Sequence, residues 1–204
     1  MFDPKRSALL LMDFQNYGLH PDGYWAKQDP GLMSRIQRSR VVENAKNALD
    51  AARRTEMRVI HVVNRWRAGH GDLNASMPMF ASRIGSDVAV EGTWGAEIVD
   101  ELAPLPMEPV VVKRSVSALT GTELPRLLVL FGIDSLILTG VATNFVVEGT
   151  AREAADRGYS AVVIRDCCET LDDDWQRNSI AVMELIGRVI SLDEFVDVLA
   201  PSGA

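Results

Sequence analysis

The chain has 204 residues, of which 47% are hydrophobic and 24% are charged, and its formal net charge at pH 7 is −7. This length and composition are typical of one soluble globular domain, so we expect residues 1–204 to form a single domain. The negative charge disfavours a nucleic-acid or anionic-membrane partner, and no apolar run reaches the ~18 residues that would predict a membrane span.

Strand and helix patterns alternate along the first half of the chain. Residues 7–12 are nearly all apolar and stop at Asp13, which predicts a strand buried on both faces. Residues 18–33 are rich in glycine and proline and predict a loop that could cover a pocket. A helix is predicted from about residue 34 to residue 54, and a second strand over residues 58–64.

The second half begins with residues 65–95, which are rich in glycine and methionine and predict an irregular segment with a functional role. A short helix is predicted over 96–102, a third strand over 109–112 that ends at Lys113, and a helix capped by Thr122. Further strands are predicted over 135–138, 160–164 and 189–190. Three further helices are predicted. The first begins at Thr143 or Asn144 and ends before Gly158, the second covers residues 173–186, and the third covers residues 192–199.

This alternation predicts an α/β fold of three layers, α/β/α, with a doubly wound and mostly parallel sheet of six strands in a Rossmann-like order. In such sheets, ligands bind outside the carboxyl ends of the strands. Residues that directly follow a strand are therefore the first candidates for a functional role.

Asp13 and Lys113 both follow a buried strand, so both are expected at the carboxyl edge of the sheet. A carboxylate enclosed by apolar walls has its pKa raised by desolvation, and it can then act as a general acid or base. A neighbouring lysine would hold Asp13 ionised and could orient a substrate anion. Taken singly, Asp13 could equally cap a turn and Lys113 could be a solvated charge, but their shared position favours function.

The two cysteines, Cys167 and Cys168, are adjacent in sequence and do not form a disulfide framework, so we expect a reducing, cytoplasmic setting. Acidic residues follow them at 169 and 172–174, which would raise a thiol pKa. Packing as small apolar side chains is therefore favoured over nucleophilic chemistry. The three histidines show no metal-ligand spacing, and the sequence has no Walker loop, GxGxxG or GxSxG motif, so we expect no metal and no cofactor.

Four short motifs occur in order along the chain: DFQN at 13–16, EGTWGAEI at 91–98, KR at 113–114 and GVATN at 140–144, with TA at 150–151. Together they resemble the isochorismatase-like (cysteine hydrolase) superfamily over nearly the whole chain. The resemblance implies a catalytic Asp, Lys and Cys. Asp13 and Lys113 match the first two, whereas Val146 stands at the position of the cysteine.

The resemblance further implies a cis peptide bond between Val141 and Ala142 that turns backbone N–H groups, including that of Val146, toward a substrate. It also implies that Gln15, Val141, Ala142 and Phe145 bind a small-molecule substrate, and that the protein is a homodimer or homotetramer.

Three functions remain open at this point. The first is hydrolysis of a vinyl ether or a related bond without a covalent intermediate, as in isochorismatases proper, with Asp13 as general acid and Lys113 as its electrostatic partner. The second is an amidohydrolase-type activity on a small amide with a substituted nucleophile or an activated water. The third is a catalytically silent relative that binds a ligand in the same pocket.

Overall fold

The structure is a computed structural model that describes residues 2–200. Its centre is a sheet of six strands in the order β3-β2-β1-β4-β5-β6, and all neighbouring strands run parallel. The strands are β1 (Ser7–Met12), β2 (Arg58–Asn64), β3 (Val110–Lys113), β4 (Ser135–Val141), β5 (Ser160–Glu169) and β6 (Arg188–Ile190). The predicted fold class is confirmed: this is a three-layer α/β/α sheet in Rossmann-like order.

Every residue of β1 is buried because the strand contributes to two cores. Leu10 and Met12 pack on one face with the helices that follow β3, β4 and β5, whereas Leu9 and Leu11 pack on the other face. A strand that is covered on both sides explains why its sequence is an uninterrupted apolar run. The carboxyl end of β1, where Asp13 follows, thus lies at the middle of the sheet.

The helices are α1 (Asn16–Leu19), α2 (Tyr24–Gln28), α3 (Pro30–Ser39), α4 (Val41–Arg53), α5 (Pro78–Ala81), α6 (Leu124–Leu130), α7 (Glu148–Asp156), α8 (Asp173–Ile186) and α9 (Leu192–Leu199). The chain forms a π-helical turn, Thr143–Val147, between β4 and α7. The capping box of Ser191 and Glu194 at the start of α9 is formed. No helix within residues 2–200 is both long and apolar enough to cross a membrane.

The prediction of a loop over residues 18–33 is wrong, because this stretch contains α2 and the start of α3. Asp29 accepts a hydrogen bond from Gly31 N at 2.9 Å and Pro30 follows it at the first helical position. An N-cap followed by proline is a helix start. The single helix predicted over 34–54 is two helices, since Arg40 between them has φ 55°.

Four boundaries also differ from the prediction. The helix predicted over 96–102 is a pair of 3-10 turns, Trp94–Ala96 and Asp100–Leu102. The helix expected to be capped by Thr122 begins at Leu124 with Glu123 at the N-cap position, but Thr122 Oγ1 still accepts a hydrogen bond from Leu124 N at 3.2 Å. The π-helical turn occupies the residues predicted as the N-cap of α7. Strand β5 continues through Arg165 and Asp166 to Glu169, because its register with β4 shifts near Leu138 and lets the charged pair lie in the strand.

Candidate active site

A cavity of about 350 Å³ opens at the carboxyl edge of the sheet. Asp13, Asn64 and Lys113 line it from the ends of β1, β2 and β3, and Val141 lines it from the end of β4. Strands β1 and β4 are neighbours whose connections leave in opposite directions, which is the place where sheets of this type bind ligands. The cavity is large enough for a small organic molecule.

Asp13 and Lys113 form a buried ion pair at the base of this cavity. Asp13 Oδ2 lies 2.9 Å from Lys113 Nζ, and their side chains are 7% and 2% exposed. Asp13 Oδ1 is buried and has no hydrogen-bond partner within residues 2–200. Asp13 itself has φ 61°, a conformation that Asp tolerates better than most residues. One carboxylate oxygen is therefore held by Lys113, whereas the other makes no hydrogen bond to the described residues.

Asn64 is a site residue that the sequence reasoning missed. Its Oδ1 accepts a hydrogen bond from Lys113 Nζ at 3.1 Å, and Ser115 O accepts another at 3.1 Å. With Asp13, these give Lys113 three acceptors, as many as an ammonium group can satisfy. All three Lys113 donors thus have acceptors in the structure, and one of these acceptors is the Asp13 carboxylate. The position of Asn64 at the end of a predicted strand was the signal that could have found it.

Burial sets the protonation behaviour of this pair. It raises the pKa of Asp13 above its ordinary value, and the positive charges of Lys113 and Arg83 oppose that rise. Burial also lowers the pKa of Lys113, which the charge of Asp13 opposes. Tyr17, which lines the same cavity, has its pKa raised by burial and by the charge of Asp13. A carboxyl group of raised pKa can carry a proton into a reaction.

Val146 lies in the π-helical turn after β4, is 1% exposed and lines the cavity together with Phe145. The peptide bond between Val141 and Ala142 is cis, as the resemblance implied, and both residues line the cavity. Gly140 lets β4 lie directly against β1 here, because a Cβ atom on it would stand 2.7 Å from Met12 O. The predicted residues of this strand and turn therefore all face the cavity.

Gln15 is placed differently from the expectation that it binds substrate. It is completely buried, and it is not among the residues that line the cavity. Its Nε2 donates to Asn64 O at 2.8 Å and to Ala96 O at 2.7 Å, while its Oε1 accepts from Asn64 N at 2.8 Å. Because backbone groups occupy the whole amide, the structure supports a role for Gln15 in positioning Asn64.

The far wall of the cavity comes from residues that sequence reasoning did not single out. The segment 65–95 contributes Phe80 and Arg83, while Trp25 and Trp175 lie on α2 and α8. Arg83 is 8% exposed, and its Nε and Nη1 have no hydrogen-bond partner in the described part of the chain. The aromatic content of 65–95 and its length were the available signals.

The cysteines do not line the cavity and lie inside β5. Burial raises the pKa of Cys168 to about 12 and also raises that of Cys167, so both thiols are unreactive near neutral pH. This agrees with their predicted role as packed side chains. His61 on β2 is also buried, and its Nε2 lies 3.0 Å from Oε2 of Glu108, which precedes β3.

Comparison with known proteins gives the same fold. A cysteine hydrolase from Pseudomonas syringae pv. phaseolicola superposes with a TM-score of 0.86 at 21% identity, over 97% of this chain and 94% of that chain. An isochorismatase family protein from Desulfovibrio vulgaris gives 0.82 at 31% identity, over 96% and 99%. N-carbamoylsarcosine amidase from Thermoplasma acidophilum gives 0.73 at 25% identity, over 92% and 97%.

The sequence itself matches a family model over most of its length. The model describes the isochorismatase domain, and the match covers residues 7–194, from the first residue of β1 into α9. The match therefore includes every strand of the sheet and every element that lines the cavity. The chain belongs to the isochorismatase family of hydrolases.

Proposed function

We propose that this protein hydrolyses a vinyl ether or a related bond in a small molecule without a covalent intermediate, and that Asp13 is its general acid. The observation that carries the proposal is the state of the Asp13 carboxyl group: Oδ2 is held by Lys113, and Oδ1 is buried and unpaired within residues 2–200. Val146 is proposed to occupy the position of the family's nucleophilic cysteine, so the site has an acid and no thiol.

In the proposed reaction, the protonated carboxyl of Asp13 gives its proton to the terminal carbon of the enol ether. That carbon becomes a methyl group, and an oxocarbenium ion forms. Its positive charge is shared by the ether oxygen and the neighbouring carbon to which this oxygen is bonded. Water adds to this carbon and returns a proton to Asp13. The resulting hemiketal breaks at the ether C–O bond, its hydroxyl proton passes to the leaving oxygen, and a ketone and an alcohol are released.

The surroundings of Asp13 suit this chemistry. Burial raises the pKa of Asp13, so the acid form persists to higher pH than for an exposed aspartate. When Asp13 gives up its proton, Lys113 Nζ at 2.9 Å stabilises the carboxylate that forms. The apolar side chain of Val146 contributes to keeping the cavity dry, which strengthens both effects.

An amidase mechanism has less support, although one structural neighbour is described as N-carbamoylsarcosine amidase. None of the described residues that line the cavity is a cysteine. Ser82 lines it, but its hydroxyl donates to Met79 O at 3.0 Å and has no base beside it in the hydrogen-bond network of residues 2–200. A covalent route of this kind would need a cysteine or a base-activated serine, and neither lines the cavity within residues 2–200.

The test is a turnover assay of wild type and Val146→Cys on isochorismate, other vinyl ethers and a panel of small amides. We expect the wild type to act on a vinyl ether and on none of the amides. Val146→Cys should lose little of that activity, because the proposed reaction does not use residue 146 as a nucleophile. If the wild type turns over nothing while Val146→Cys gains amidase activity, the protein is a silent ligand-binding relative and the proposal is wrong.

A further inference from the structure

Arg83 brings a buried positive charge to the cavity. Its side chain lines the cavity and is 8% exposed, and Nε and Nη1 have no hydrogen-bond partner within residues 2–200. Its guanidinium forms no ion pair with a carboxylate in the same range, although its charge lowers the pKa of Asp13. Buried guanidinium N–H groups without a hydrogen-bond acceptor are costly, so such groups in native proteins usually have one.

The charge balance of the cavity shows what kind of partner is missing. Within the described chain, the charged side chains that line it are Asp13, Lys113 and Arg83. Lys113 Nζ directs its three donors at Asp13 Oδ2, Asn64 Oδ1 and Ser115 O, so it has no donor left for a ligand. Arg83 is therefore the cavity cation with buried donors still unpaired within residues 2–200, and one anionic group of a ligand would pair with them.

The rest of the wall is aromatic and apolar. Tyr17 and Phe80 lie beside Arg83, whose guanidinium carbon is 5.9 Å and 5.3 Å from their ring centroids. Three further aromatic side chains line the same space: Trp25, Phe145 and Trp175. Flat apolar groups pack well against such rings, whereas a second charged group would be desolvated without compensation.

We propose that the cavity binds a compact monoanion with a flat apolar body, and that the single carboxylate of this ligand pairs with Arg83. Arg suits this task because its planar guanidinium can bind a carboxylate with two parallel hydrogen bonds. The identity of the substrate rests on the function proposed above. If that function holds, the substrate is an enol-ether monocarboxylate with an apolar group on the ether oxygen. Arg83 determines specificity, and Asp13 carries out the proton transfer.

Binding of unreactive probes tests the inference separately from turnover. Calorimetric titration or ligand-observed NMR would compare benzoate, benzyl alcohol, phthalate and acetate with the wild-type protein. Benzoate should bind best, because benzyl alcohol lacks the charge, acetate lacks the ring, and phthalate carries a second carboxylate. Because the hydrogen bonds between Arg83 and a carboxylate are charge-assisted, we expect the Kd of benzoate to be lower than that of benzyl alcohol by about tenfold or more. Equal binding of these two, or tighter binding of phthalate, contradicts the inference.

Variants then assign the effect to one residue. Arg83→Gln should weaken benzoate binding about tenfold or more and leave benzyl alcohol unchanged, and Arg83→Lys should lose less. Arg126→Gln on α6 is the matched control, since it removes the same charge from an exposed side chain outside the cavity. Circular dichroism checks that each variant is folded. If a variant does not fold, the comparison of the four probes with the wild-type protein still tests the inference. Unchanged benzoate binding by folded Arg83→Gln would refute the assignment.

The two proposals fail in different ways. Benzoate binding that depends on Arg83, together with no turnover of any vinyl ether, supports the monoanion site and rejects the proposed reaction. Turnover of vinyl ethers with no preference for anionic probes supports the reaction and rejects the role of Arg83.

Discussion

Asp13 Oδ2 and Lys113 Nζ lie 2.9 Å apart, and both side chains are almost completely buried. The two residues are 100 positions apart in sequence, and parallel pairing of β1 with β2 and of β2 with β3 brings them together. This pair links the fold to the chemistry, because it fixes the carboxyl group that the proposed reaction uses.

Lys113→Met should destabilise the fold strongly, because it leaves the Asp13 carboxylate buried without its cation. Loss of one partner of a buried pair costs about 3–5 kcal/mol. Urea unfolding at pH 7 measures this, and Asp13→Asn/Lys113→Met should recover part of the loss. A change below about 1 kcal/mol for Lys113→Met, as expected for an exposed pair, would show that the pair is not buried in solution.

Gln15→Met should lower stability, because it leaves the N–H and C=O of Asn64 and the C=O of Ala96 without partners. Each buried backbone group left unpaired costs about 1–3 kcal/mol. Urea unfolding and steady-state kinetics together distinguish this role from direct substrate binding. If Gln15→Met instead had a higher KM and unchanged stability, Gln15 would bind the substrate directly.

Glu108 should make the protein sensitive to acid. Burial would raise its pKa, but hydrogen bonds from Arg53, the Leu105 backbone and His61 outweigh burial and lower the pKa to about 2. Because the folded pKa lies below the ordinary value of 4.5, the stabilisation is present above pH 4.5 and is lost as the pH falls toward 2. Glu108→Gln should be less stable than wild type at pH 7, with a smaller loss of unfolding free energy between pH 5 and pH 3. Parallel pH profiles of the two proteins contradict this.

Anion binding at Arg83 should raise the pKa of Asp13, because it cancels a charge that favours the carboxylate. The charged and titratable groups around Asp13 are Lys113, Arg83 and Tyr17. The acid form of Asp13 is the active one, so both rates should fall as the pH rises through its pKa. The pKa in the free enzyme sets kcat/KM and the higher pKa in the complex sets kcat, so kcat/KM should fall at a lower pH than kcat. Arg83→Gln should bring the two profiles together. A gap of the same size in that variant argues against the coupling.

Much of the fold was predictable from the sequence, because uninterrupted apolar runs such as residues 7–12 have few interpretations other than a buried strand. The error at residues 18–33 came from reading Gly and Pro as loop signals, although Asp29 followed by Pro30 is also a helix start. The break at Arg40 gave no signal, since its left-handed conformation depends on how α3 and α4 pack.

The site was predictable where it lies at strand ends. Asp13 and Lys113 follow strands, so the fold class alone places them at one edge of the sheet. Arg83 lies in an irregular segment, and its approach to the cavity depends on tertiary packing around Trp66 and Phe80. Gln15 stands two residues after Asp13, yet its side chain turns into the protein, and no sequence pattern distinguishes these outcomes.

The most direct test of the general-acid role is the rate of vinyl-ether hydrolysis by wild type, Asp13→Asn and the control Asp22→Asn, followed across pH. Asp22 has a side chain that is 84% exposed and does not line the cavity, so its variant should match wild type. Asp13→Asn keeps the shape of the side chain and removes the proton donor, so kcat should fall about 10²–10⁴-fold with the protein still folded. An Asp13→Asn enzyme that retains wild-type kcat and the same pH profile would contradict the account.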